Sequence, residues 1–139
     1  MRKTLILSTL AVAALIAAAC GSSATDGGKT IKTGPAGNNL TVTLSNSDGV
    51  LRKGKQNVTL KFADQSGKPV DVGAASLNFF MPAMGSMAAM NNAAQLTTTA
   101  TPGVYSGAVD IEMVGEWQAQ IAFEGTAGKG KVSLPVTAQ

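Results

Sequence analysis

The chain has no histidine, a single cysteine and few aromatic residues, with one Trp, one Tyr and four Phe in 139 positions. The first absence removes the commonest protein metal ligand and the side chain best suited to acid–base work near neutral pH. The second forbids an intrachain disulfide, so Cys20 has to be explained by its position. Charge is scarce too, at 14% of residues. Once Arg2 and Lys3 at the extreme N-terminus are set aside, nine Lys and Arg face eight Asp and Glu. That balance offers no basic patch for nucleic acid. Carboxylates are scattered rather than paired, and no Ser has an obvious base beside it, so the chain does not read as an enzyme.

The N-terminus accounts for the cysteine. Arg2 and Lys3 precede an apolar run from Leu5 to Ala19, interrupted only by Ser8 and Thr9, and Ala17, Ala18 and Ala19 lead into Cys20. This pattern is a secretory signal, too short to span a bilayer comfortably. Its end resembles the lipobox of bacterial lipoproteins, in which the signal is cleaved before the cysteine and the thiol is lipidated. Ala17 stands where that family favours Leu. The resemblance implies a signal peptide over 1–19, a lipid on Cys20 and a membrane as the first partner. Gly21 after the cysteine implies, in a Gram-negative cell, sorting to the periplasmic face of the outer membrane. Ordinary secretion after Ala19 or Ala24 is the alternative. Residues 20–39, rich in Gly, Ser, Thr and Ala, read as the lipidated cysteine and a flexible tether of about 24 Å end to end.

From Leu40 onward the pattern is that of strands with one buried face. Leu40, Val42 and Leu44 alternate with threonines, and Val58, Leu60 and Phe62 with Asn57, Thr59 and Lys61. Ala75, Leu77 and Phe79 continue the alternation until Phe80 breaks it; Leu96 opens a Thr-rich segment. Tyr105, Gly107, Val109, Ile111 and Met113 share one face, Trp117, Ala119, Ile121 and Phe123 another, and Val132, Leu134 and Val136 close the chain. Turn residues separate these runs: Asp48-Gly49, Ser66-Gly67-Lys68-Pro69, Pro102-Gly103, Gly115, and Gly125 to Gly130. Seven short strands over 40–139 predict an all-β, immunoglobulin-like β-sandwich, with a small barrel as the alternative.

Against this plain background the methionines stand out. Met81, Met84, Met87 and Met90 recur every third residue, and only Met113 and the initiator lie outside that stretch. A thioether is soft and uncharged, a good ligand for Cu(I) or Ag(I) and a poor one for Zn(II), Mg(II) or Ca(II). Hydrophobic packing and an adaptable docking surface are the competing readings. Spacing by three would fan four Met over about half the circumference of a regular helix, so a helical turn after Pro82 offers two or three at once, whereas a loop could wrap all four. If successive strands run antiparallel, the connection carrying the cluster and the one carrying Met113 lie at the same end. Trp117 opens a strand there: it reads first as core, sharing a face with Ile121 and Phe123, and the sharper reading is a ring that shields a bound cation. Glu112 and Glu116 flank the site as hard ligands ill-suited to Cu(I).

Met81-Pro82-x-Met84, Pro102-Gly103-x-Tyr105-x-Gly107 and Met113-x-Gly115-x-Trp117, in that order, resemble the YtkA-like domain family, as do Gly67-Lys68-Pro69-Val70, Ala75 and Leu77. The likeness runs from about Leu40 to Val136. It implies an immunoglobulin-like sandwich in a secreted or membrane-attached bacterial protein, similar to modules that accompany copper handling. A copper transporter or an oxidase-assembly protein is the partner class that goes with it. Related metal-binding segments carry His beside the methionines, where Ser86 and Ala88 stand here, so the expected ion is Cu(I) or Ag(I) rather than Cu(II). No organic cofactor is expected. The expected function is a lipid-anchored metal buffer, chaperone or delivery factor; the alternative is a tethered module whose methionine loop docks on a membrane protein.

Overall fold

The computed structural model describes residues 28–139. The expected signal peptide over 1–19 and the expected lipid on Cys20 lie outside the described residues. Eight antiparallel strands make up the fold: β1 (Lys29–Gly37), β2 (Leu40–Asn46), β3 (Gly54–Ala63), β4 (Ala74–Met81), β5 (Met90–Thr98), β6 (Val104–Ile111), β7 (Gly115–Gly125) and β8 (Gly128–Ala138). Hydrogen-bonded neighbours follow the order β1-β2-β3-β6-β5-β4-β7-β8.

β5 explains why one order covers both faces of the molecule. Its first half pairs with β4, from Met81↔Met90 to Leu77↔Ala94, and its second half with β6, from Gln95↔Ala108 to Thr98↔Tyr105. The strand thus passes from one layer to the other between Ala94 and Gln95. At the opposite edge β1 runs beside β8, with Asn38 Nδ2 donating to the Lys129 carbonyl at 3.4 Å. The sheet is nearly closed. The all-β class read from the sequence holds, with eight strands in place of seven and β5 joining the two layers of the sandwich.

The alternation dictates the core. Val42, Leu44, Val58, Leu60 and Phe62 turn inward from β2 and β3 and meet Leu77, Phe79, Ile121 and Phe123 from β4 and β7 in one buried cluster. Phe62 packs edge-on against Tyr105 and Phe123, with ring centroids 5.9 and 5.3 Å apart. Tyr105 anchors the end of the fold away from the methionines: its hydroxyl donates to the Gly73 carbonyl at 2.5 Å. Pro102-Gly103 makes the turn into β6, and a side chain at Gly103 would meet the Val70 carbonyl oxygen at 2.3 Å, so that position admits only glycine.

Two boundaries and one local turn differ from those read in the sequence. The tether expected over 20–39 gives way at residue 29 to β1, which pairs with β2 through a two-residue Asn38-Asn39 turn with both φ values positive. β5 begins at Met90 rather than near Leu96, so half of the expected methionine loop is strand. The helical turn after Pro82 is absent: residues 81–90 form a β-hairpin.

Candidate metal site at the methionine end

β4 and β5 are joined across Met84-Gly85-Ser86-Met87. Met84 and Met87 bridge each other, with Met84 N donating to Met87 O at 3.1 Å and Met87 N to Met84 O at 2.9 Å. Gly85 has φ 56° and Ser86 does not share the positive sign, which is the pattern of a II′ turn. Met84 lies three residues beyond Met81 and Met87 three before Met90, so both methionine pairs belong to one register. The sequence period of three is thus two cross-strand pairs, Met81↔Met90 and Met84↔Met87, stacked along a hairpin.

Residues 82–83 and 88–89, between the two pairs, lie outside the strands, so strict alternation does not carry to the tip. Burial is what divides the pairs. Met81 points inward with Leu77 and Phe79 and is 1% exposed, and Met90 is half-buried against the core. Met84 and Met87 at the tip are 54% and 39% exposed.

Met113 joins them from the β6–β7 connection, residues 112–114. Phe80 pairs with Gln118 on β7, and Glu112 N donates to Asn92 Oδ1 at 3.2 Å, which ties that connection to the base of the hairpin. The expectation from strand parity therefore holds: all five internal methionines reach one end of the molecule. Met113 itself is half-buried against the core. Gly115 follows with φ 130°, and a β-carbon there would stand 3.2 Å from Met81 Cε. The glycine thus leaves space for the Met81 methyl at the start of β7.

Trp117 is 1% exposed, and its indole N–H donates to the Met113 carbonyl at 2.9 Å. It is a core residue that also fixes the backbone of the fifth methionine, a role its position in the alternation did not reveal. Glu112 and Glu116 are exposed, and a Glu116 carboxylate oxygen accepts from the Thr137 hydroxyl at 2.8 Å. Among the described residues no group of three or more His, Cys, Asp and Glu gathers where it could hold a metal ion. The soft ligands collected at this end are thioethers.

The order and geometry of these elements agree with a comparison against known families, in which the YtkA-like family matches residues 36–122. The chain belongs to the YtkA-like family. The match spans β2 through most of β7 and so includes the methionine hairpin, Met113 and Trp117, while most of β1 and all of β8 fall outside it. No curated protein and no solved structure gave a match. Within this YtkA-like domain Gly115, beside the Met81 methyl, and Trp117, bonded to the Met113 carbonyl, shape the corner against which the hairpin stands.

Proposed function

We propose that this YtkA-like protein is a lipid-anchored extracytoplasmic module that binds Cu(I) or Ag(I) through its methionine end, as a buffer, chaperone or delivery factor. The observation that carries the reading is the pairing of four methionines on one hairpin with Met113 on the adjoining connection. Soft, neutral sulfur is the donor that monovalent coinage metals favour. Met84 and Met87 present thioethers to solvent and make first contact with the ion. Met90 and Met113 are half-buried and close the site from below. Met81 belongs to the core and supports the base of the hairpin. The signal ending at Cys20 supports export and lipidation, which place the domain near a membrane donor or acceptor of the ion, such as a copper transporter or an oxidase-assembly protein.

The test is a competition titration of purified protein with Ag(I) or Cu(I) under reducing conditions. One ion per chain is expected, with weak or no uptake of Zn(II) and Cu(II). A thioether has no proton to lose, so affinity should hold at mildly acidic pH, where His and Cys sites weaken. Met84→Leu with Met113→Leu keeps bulk and apolarity and removes two sulfurs; full Cu(I) affinity in that variant rules out the site.

A second reading also rests on a specific observation. The large apolar side chains exposed among the described residues are Met84, Met87 and Val114, and all three lie at this end. Such a patch suits docking on a membrane protein. The Leu variant separates the two readings, because docking tolerates Leu and metal binding does not.

A further inference from the structure

We propose that Met84 and Met87 form a paired oxidation site at the hairpin tip, converted to sulfoxides by peroxide while the methionines below remain reduced. Access to solvent differs sharply among the five sulfurs. The two tip side chains are 54% and 39% exposed, Met90 and Met113 are half-buried, and Met81 is 1% exposed. In the reaction a sulfur lone pair attacks one peroxide oxygen, the S–O bond forms as the O–O bond breaks, and the proton on the attacked oxygen passes to the departing hydroxide, which leaves as water. Sulfur loses two electrons and the peroxide gains them. The product is polar and chiral, and it disrupts a structure where the side chain is packed. At the tip the Met84–Met87 bridge is made by backbone N–H and carbonyl groups, and those survive oxidation. At Met81 the same change would place a polar oxygen among Leu77, Phe79 and Trp117. The fold therefore separates two sulfurs open to solvent from one whose modification would disrupt the core.

A consequence rests on the metal reading above. The sulfur electrons that peroxide takes are those a soft cation would engage, so oxidation and metal loading compete for the same two atoms. Oxidation of the tip would release the ion without unfolding the domain.

The test is a time course of the purified protein with hydrogen peroxide in chloride-free buffer, read by peptide mass spectrometry, with and without prior Ag(I). Met84 and Met87 should gain oxygen about tenfold faster than Met81, with Met90 and Met113 between, and the β spectrum should persist. Met84→Leu with Met87→Leu should abolish the fast phase. Ag(I) should slow the tip selectively. Oxidation of Met81 at the rate of the tip, or loss of the β spectrum when only the tip has reacted, overturns the proposal. If the untreated protein takes up no Ag(I), the metal reading fails, while the oxidation site still stands or falls on the order of reaction.

Discussion

At the scale of single residues, Gly115 and Trp117 matter more to the methionine end than their chemistry suggests. Gly115→Ala would impose a positive φ on a residue with a β-carbon and push that carbon toward Met81 Cε. The expected cost is about 1–3 kcal/mol, seen as a lower denaturation midpoint. Ile121, buried between the layers, should cost about 2–4 kcal/mol when replaced by Ala. Tyr105 gives the pH dependence. Burial pushes its hydroxyl above the ordinary value of 10.0, and the charge of Asp71 adds to the effect. The fold therefore favours the neutral phenol. Its stabilisation is complete below about pH 10 and is lost as pH rises through the raised folded value. Tyr105→Phe should remove about 1 kcal/mol, the worth of the hydrogen bond to Gly73, and flatten the alkaline decline in chemical denaturation.

Among the elements, β1 is the one whose removal is most informative. Starting the chain at Asn38 would strip the partner from the edge of β2 and uncover the side of β8 where Gly34 meets the Leu134 side chain. A lowered melting temperature is expected; an unchanged one would mean that β1 acts only as a tether. The sequence hid this strand because its nine residues hold only Ile31 and Ala36 as apolar side chains that reach the core region, with Gly34 and Pro35 between. Pro35 is tolerated because the strand is at an edge. The Asn38-Asn39 pair was the available signal, since two residues with positive φ suit a I′ hairpin. β5 was obscured for a related reason. Asn91, Asn92, Ala93 and Ala94 are poor strand formers in isolation, and pairing with β4 overrides that preference. By contrast β2, β3, β6 and β7 were legible from their apolar alternation, because each buries one face over most of its length, although β6 ends at Ile111 and leaves Met113 in the connection that follows. The methionine spacing was visible as well, although its meaning was not: a period of three suits a fanned helix or a loop as readily as stacked cross-strand pairs.

For the whole molecule, the proposed export signal and lipid anchor would carry a β scaffold that gathers five methionines at one end. Cys20→Ser should release the protein from the membrane fraction or leave its signal uncleaved, and a mature N-terminus at Ala24 or later would contradict the anchor. The central claim is that the gathered sulfurs are ligands. The most direct measurement is an NMR titration of the protein carrying ¹³C-labelled methionine methyls with Ag(I). The expected result is that the Met84 and Met87 methyl signals shift together and saturate at one equivalent, accompanied by Met90 and Met113, while the β fold persists. Methyl signals that stay in place through excess Ag(I) would contradict the claim and leave the methionine end as a docking surface.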